Sequence, residues 1–502
     1  MEKKLIFAKK VDKQILLINT AAALIYFSWW LMPDHAATPA LYILLLFGEF
    51  YHVLMSALFW FTMWPAKQKE TLFDESYHPT VDVFITVAGE PTDIVEETLK
   101  ATLNMRYDNF KVYVLNDGLV GKKDNWHEIV RLAHSYGVSC ITRRIGGGAK
   151  AGNINNALLQ THRDIIVIFD ADMSPHEDFL EKTIPYFSDK RIGFVQTPQY
   201  YKNNLVNEIT KGAWEQQEFF FGPIMEGKDR VNSAFMCGTN VVIRRKALVD
   251  AGGMRTDNIA EDFLTSLKIH QNGWISRYTR EVLAEGLAPE DMQSYWKQQL
   301  RWARGSLEVL FWENPIFKRG LTWAQRFQYL SSALYYFNGL VLLIDMAMPI
   351  LFLLTGRQVV STSTTSFALF FLPFMFLNLS TLFAVASGRL TFRAISFSQS
   401  AWTLQLKAIK SAFLNQKMAF VVTPKKQKSG NFLFLAYPHF FYIFLMSVST
   451  VFAVVTRGVD ASIISNVAWG LFNIILFLPF LKAVVNPNLK PEKTSRKELS
   501  YA

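Results

Sequence analysis

Cysteine is nearly absent: Cys140 and Cys237 are the two in 502 residues. A disulfide scaffold is therefore excluded, and a reducing compartment fits. Charge is sparse as well, at 19% of residues, while 50% are apolar and 15% aromatic, including 42 Phe and 13 Trp. Disordered and collagen-like chains do not have this composition. The length suits about two or three domains. The net charge of +10 would suit nucleic acid, anionic lipid or an anionic substrate, so its placement has to decide.

The apolar residues gather at the two ends of the chain. Residues 15–32 (ILLINTAAALIYFSWWLM) and 41–64 (LYILLLFGEFYHVLMSALFWFTMW) approach or exceed the length of a membrane helix, about 20 residues. A polar block follows over 80–320, and apolar runs resume at 328–355, 366–387, 433–455 and 462–484. A buried core helix explains any one run; six runs around a polar block read as six spans. The first run lacks a small-residue cleavage site and a second follows at once, so it does not read as a cleaved leader. Lys3, Lys4, Lys9, Lys10 and Lys13 precede the first span, Arg389, Arg393, Lys407, Lys410 and Lys417 lie in the 388–432 stretch, and Lys490, Lys493, Arg496 and Lys497 follow the last span. The positive-inside rule then puts both tails, the polar block and 388–432 in the cytoplasm. With so much positive charge flanking membrane, and no nucleic-acid-binding signature, no nucleic-acid partner is expected.

Within the block, VDVFITVA (81–88), KVYVLND (111–117), GVSCITR (137–143) and DIIVIFD (164–170) read as strands, with helical spacing over 93–104 and about 150–160. Alternating strand and helix predicts an α/β domain with a mostly parallel sheet and a ligand at the strands' carboxyl ends. Polar signals sit at those ends: Glu90, Asp117, Asp170 and Asp172. In IFDADMS, Asp170 and Asp172 face one way in extended chain and can hold a hard divalent cation on diphosphate oxygens; the plain alternative is a solvated acidic turn. Asp117 in LNDG accepts from a nucleoside or simply caps a turn. GGGAKAGN (146–153) is not a Walker loop, but it can bring Lys150 to a nucleotide. NIAEDFLTSLKIH (258–270) opens a helix with Glu261 and Asp262, which stabilise the helix dipole or supply a base for a sugar hydroxyl. QQLRW sets Gln298, Arg301 and Trp302 on one helical face, suited to a phosphate and a sugar ring or to an amphipathic interface. FVVTPK (420–425) is a basic membrane-flanking loop that can also close over a nucleotide.

Taken in order, VDVFITVAGEP, LNDG, KAGN, FDADM, VQTP (195–198), MCGTN with its RR (236–245), AEDFLTSLKIH, QQLRW and ENPIFKRGLTWAQR (313–326) resemble the processive family-two β-glycosyltransferases. The likeness is nearest to bacterial cellulose synthase catalytic subunits, because FVVTPK matches their gating-loop pattern FxVTxK. The resemblance implies a GT-A fold. It implies contacts from Asp117, Lys150 and Asp170 to a uridine diphosphate donor, and Mg2+ or Mn2+ on Asp172 with Asp170. Asp262 would be the general base, Gln298 and Arg301 would hold the diphosphate, Trp302 would face the acceptor sugar, and Phe420, Thr423 and Lys425 would form the gating loop. It further implies a multi-pass protein of the plasma (inner) membrane, polymerising glucose from UDP-glucose with inversion and passing the growing polysaccharide through its own channel. The expected division is N-terminal membrane helices at 1–70, a cytosolic GT-A domain at 75–320, channel helices at 321–485 with the 388–432 interface and gating segment, and a basic tail at 486–502.

Three departures accompany the likeness. AED stands where the family has TED, two spans precede the domain where the family usually has more, and only a short tail follows the last span. A cyclic di-GMP-binding barrel is therefore not expected. A hyaluronan- or chitin-like synthase using another UDP-sugar, or a non-processive transferase acting on a lipid acceptor, stays open as an alternative. Linkage, primer and oligomeric state are left open, a homo-oligomer included.

Overall fold

The computed structural model describes residues 11–68, 70–386, 391–416 and 432–487. The gating-loop candidates Phe420, Thr423 and Lys425, and Arg389, lie outside the described residues.

The polar block folds around a seven-stranded sheet. Its strands are β1 (Val81–Val87), β2 (Phe110–Asn116), β3 (Ser139–Thr142), β4 (Ile165–Asp170), β6 (Ile192–Gln196), β8 (Val241–Arg244) and β9 (Ile275–Tyr278). They lie in the order β3-β2-β1-β4-β8-β6-β9. The first four are parallel, β8 is antiparallel to both its neighbours, and β6 and β9 are parallel. Helices Thr92–Leu103, Trp126–Ser135 and Ala149–Leu158 make the crossovers between the parallel strands. All seven residues of β1 are buried, as expected of a strand covered on both faces. Alternate residues feed two cores: Val83 and Ile85 pack with Leu99 and Ile129, whereas Phe84 packs with Ile154 and Leu248.

From β1 the chain steps outward to β2 and β3, then returns to the other side of β1 as β4. The order reverses between β1 and β4, and the crevice beyond their carboxyl ends is where such sheets bind ligands. A second sheet of three short strands, β5 (Ser174–Pro175), β7 (Tyr200–Tyr201) and β10 (Ala284–Gly286), closes over the FDADM turn. Gly286 makes this closure possible: a Cβ there would lie 1.8 Å from Met173 Sδ and 3.1 Å from the Asp172 carbonyl oxygen.

Five helical segments among the described residues are long and apolar enough to cross a membrane: Pro39–Met63, Trp323–Thr355, Thr364–Val385, Leu433–Arg457 and Ala461–Val485. The first expected span, 15–32, is not among them. Lys13–Trp30 is helical, but Lys13, Gln14, Asn19 and Thr20 lower its hydropathy. It nevertheless runs antiparallel along Thr364–Val385. Asn19 Nδ2 donates to Thr381 Oγ1 at 2.8 Å near one end, Tyr26 stacks on Phe374, and Trp29 Nε1 donates to Ser366 Oγ at 3.4 Å near the other.

The α/β domain and the apolar helices share one core. Trp214, Met292 and Tyr295 pack with Phe397 of the helix Phe392–Ser400, and the same cluster continues through Tyr442, Phe477 and Phe480 of the last two spans. Gly212 lies where a Cβ would meet the Phe397 ring at 2.7 Å. The next helix, Trp402–Phe413, packs along the QQLRW helix and receives the Trp312 Nε1 hydrogen bond at the Ala412 carbonyl (3.0 Å). The domain is therefore seated on the spans through 391–416.

The amino end of β1 carries a buried charge. Asp82 has no exposure and accepts from Arg245 Nη2 at 2.8 Å and from the Arg163 amide at 3.1 Å. Removing one member of a buried pair strands the other, at a cost of about 3–5 kcal/mol. Asp82→Ala is expected to lower domain stability by that order, read as a shifted unfolding midpoint of the purified protein in detergent.

Candidate active site

A cleft of about 480 Å3 opens at the β1–β4 switch point. Asp117, Lys150, Asp170, Asp172, Asp262, Gln298, Arg301 and Trp302 all line it. Every described residue singled out for the site is thus brought to one place, although they span 117 to 302 in the chain. Glu90 and Glu261 line it as well, and so do Arg143, Tyr201 and Cys237.

The local structure explains each position. Asp170 ends β4, and its amide donates to Thr239 Oγ1 at 2.8 Å, which ties the FDADM turn to MCGTN. Asp172 is buried and its Oδ2 accepts from the Leu287 amide at 3.3 Å. Lys150 lies in the first turn of the helix Ala149–Leu158; its Nζ contacts Asp170 Oδ1 and donates to the Gly238 carbonyl at 2.7 Å. Asp262 lies in the first turn of the helix Glu261–Gln271, its Oδ1 held by the Phe263 amide at 2.7 Å. Its Oδ2 sits against Gly238, where a Cβ would come within 3.2 Å. Gln298, Arg301 and Trp302 share one face of the helix Met292–Trp312. Gln298 is buried with Oε1 unpartnered within the protein.

Charge in the cleft is shared unevenly. Burial pulls Lys150 down, but the charges of Asp170, Glu261 and Asp262 outweigh it and hold the ammonium above its usual range. Burial and then the Asp262 charge push Glu261 up to about 7, with Lys150 opposing. Burial likewise raises Asp262 above the ordinary carboxylate range, against the Phe263 amide, Lys150 and Arg301. A raised carboxylate in a cleft is suited to taking a proton near neutral pH. Cys237 is pushed well up by burial, reinforced by Asp262, so it stays a thiol and not a nucleophile.

Residues 78–305 match the family described as glycosyltransferase like family 2, and residues 253–402 match the cellulose synthase family. Residues 78–305 are thus similar to a family-two-type glycosyltransferase domain. Relatives of the chain include the cellulose synthase catalytic subunit (UDP-forming) of Pseudomonas fluorescens, 33% identical over 339 residues, covering 65% of this chain and 45% of that protein. Another is the cellulose synthase 1 catalytic subunit (UDP-forming) of Komagataeibacter xylinus, 30% identical over 433 residues, covering 81% and 56%. Cellulose synthase 2 of Novacetimonas hansenii is 31% identical over 384 residues, covering 73% of this chain and 24% of that one. The chain thus spans between about a quarter and about half of these curated relatives. In fold it is similar to a mannosyltransferase of Pyrobaculum calidifontis solved with GDP-mannose and Mn2+ (TM-score 0.53, 18% identity, covering 80% of this chain and 100% of that one). That likeness supports the GT-A-type α/β fold.

The donor set of the cleft fits a hard divalent cation. Asp170 and Asp172 offer carboxylate oxygens, and no cluster of three or more His, Cys, Asp or Glu suited to a metal occurs among the described residues. One or two carboxylates completed by phosphate oxygens and water is the arrangement Mg2+ favours.

Sequence reading passed over two features of the site. Arg143 grips Asp117, and its only signal was its place just past β3. Gly305, one turn beyond Trp302, abuts the AED turn: a Cβ there would lie 2.3 Å from Ala260 Cβ and 2.9 Å from its amide nitrogen. Gly305→Ala is expected to push this helix off the AED turn and lower turnover about tenfold or more, since small misplacements near a reacting centre are costly; unchanged steady-state rates would contradict it. The raised carboxylate pair sets a pH dependence. With Asp262 as the base, which must be ionised to act, its raised range means transfer should climb as pH rises out of the mildly acidic range and fade below it, and a rate profile flat from mildly acidic to neutral pH would contradict that.

Proposed function

We propose that this protein is a membrane-embedded processive β-glucan synthase that transfers glucose from UDP-glucose with inversion and passes the polymer through its own spans. The observation that carries the reading is the single cleft, in which a DxD pair, a buried lysine, a raised Asp262 and the QQLRW face meet at the switch point of a domain seated on membrane helices. The UDP-forming names of the relatives favour uridine diphosphate as the leaving group.

Asp117 and Lys150 would hold the nucleotide, and Arg301 with Gln298 the diphosphate. Asp172, with Asp170, would hold Mg2+ or Mn2+; bound there, such a cation offsets charge developing on the departing diphosphate. Arg301 acts in the same sense, and one well-placed group of this kind contributes about 2.7–4 kcal/mol. Asp262 takes the proton of the acceptor hydroxyl as it attacks from the face opposite the diphosphate, so an α-linked donor yields a β-linked product. Trp302 offers its ring to the acceptor sugar. The polymer's hydroxyls cannot cross hydrocarbon unaided, which makes the spans its route out.

We place the membrane helices at 1–70 and 321–485, the catalytic domain at 75–320, the interface and gating segment at 388–432 and the tail at 486–502. With Lys13–Trp30 counted beside the five apolar spans, both tails and the domain share the cytosolic side of the plasma membrane. In the gating segment, Phe420, Thr423 and Lys425 would close over the nucleotide.

Purified protein supplied with UDP-glucose and Mg2+ or Mn2+ should release UDP and build a glucan that a β-linkage-specific hydrolase digests. No metal-dependent UDP release would remove the synthase reading, and preference for an amino-sugar or uronic-acid donor would replace it with the hyaluronan- or chitin-like one. Asp262→Asn is expected to cut transfer by about 10²–10⁴ while UDP binding, measured calorimetrically, stays near that of the parent. Near-normal turnover would take Asp262 out of the role.

A further inference from the structure

Arg143 makes a denser set of hydrogen bonds than its place on the rim of the sheet requires. Nε donates to Asp117 Oδ1 at 2.6 Å and Nη2 to Asp117 Oδ2 at 2.7 Å, a two-pronged ion pair. Nη1 donates to the Gly147 carbonyl at 2.6 Å, and Nη2 also to the Ala149 carbonyl at 2.9 Å. Four donors of one guanidinium therefore bind two separate pieces of the cleft wall: the end of β2 and the glycine-rich turn before Lys150. The side chain is only 9% exposed.

That turn needs holding. Gly147, Gly148 and Ala149 all have positive φ, at 118°, 65° and 42°, and for alanine this region is disfavoured. Lys150 follows immediately, so the path of 147–149 fixes where its side chain starts. Gly152 keeps room for the arrangement, since a Cβ there would fall 2.1 Å from the Gly147 carbonyl oxygen and 2.6 Å from Arg143 Nη1.

We infer that Arg143 is a positioning residue for the donor nucleotide: its fork fixes Asp117 and, through the Gly147–Ala149 backbone, Lys150, as one rigid unit. The inference rests on the donor reading above. The fork also offsets the Asp117 charge where an anionic diphosphate has to enter, and each carboxylate oxygen keeps a second lone pair for a ribose hydroxyl or a base N–H. Lysine cannot substitute, because an ammonium has neither the planar fork nor enough donors for four bonds.

The test uses the full-length protein in detergent or nanodiscs, with Arg143→Lys and Arg143→Gln. UDP affinity is measured calorimetrically with Mg2+, and KM and kcat for UDP-glucose are measured alongside. Both variants are expected to raise the UDP Kd and the donor KM about tenfold or more, with kcat within about threefold of the parent, since Asp262 and Arg301 are untouched. Parent-like Kd and KM in both variants overturn the inference. So does recovery of parent affinity by Arg143→Lys alone, which would make charge and not the fork the cause, or a fall in kcat at unchanged KM. Should Arg143→Gln fail to elute as a folded species, Arg143→Lys, which keeps the charge, decides. A parent protein that binds no UDP overturns the donor reading itself, whereas UDP binding by the parent with unaltered variants overturns only the role of Arg143.

Discussion

Lys150 stands among Asp170, Glu261 and Asp262 at the meeting of three chain segments, and without its charge those carboxylates would repel one another in a space with little water to separate them. Like charges at close range in a poorly solvated site cost far more than in bulk water. The ammonium offsets that repulsion and, through the Gly238 carbonyl, ties MCGTN to the floor of the cleft. Most of the site depends on this contact. Thr239 supports Asp170, Gly238 leaves room for Asp262, and the AED helix begins where the lysine's field reaches it. The surplus of acid over base that remains is suited to a cation shared with phosphate oxygens, and the raised carboxylates are the ones left without full compensation.

Much of this was legible in the chain itself, for definite reasons. The four parallel strands announced themselves by β-branched runs ending in Glu90, Asp117 and Asp170, and parallel sheets gather ligands at those ends. QQLRW was readable because helical spacing alone puts Gln298, Arg301 and Trp302 on one face. Convergence of FDADM, AED and QQLRW was not readable from spacing, since it depends on β8 running antiparallel between β4 and β6 and on the small second sheet. Arg143 was not legible, because an arginine just past a strand has no pattern of its own; its importance comes from a turn with positive φ that forms only in the folded chain. The count of spans differed for a similar reason. Lys13–Trp30 is too polar for a lone membrane helix by composition, and its fit with Thr364–Val385 through Asn19 and Thr381 is a tertiary fact.

The joint between the domain and the apolar helices combines bulk with a buried ion pair, in which Arg393 meets Glu208 at 2.7 Å and Glu215 at 3.1 Å. Trp214, Tyr295 and Phe397 continue without a break into Tyr442, Phe477 and Phe480. Interiors packed at this density move as discrete rearrangements and not as soft deformations. The helix bearing Gln298, Arg301 and Trp302 is held by the same joint, because Trp402–Phe413 packs along it. The cleft and the spans therefore keep a fixed relation.

Where Gly305 meets Ala260, two helices approach more closely than any side chain on the first would allow. Ala260 lines the cleft and Gly305 stands behind it, and each limits what the other can become. An added methyl at 305 has nowhere to go unless the loop before Glu261 retreats, and a bulkier residue at 260 would press on the same seam. Substitutions at these two positions are therefore coupled: a larger residue at either one calls for a compensating shift of the neighbouring helix.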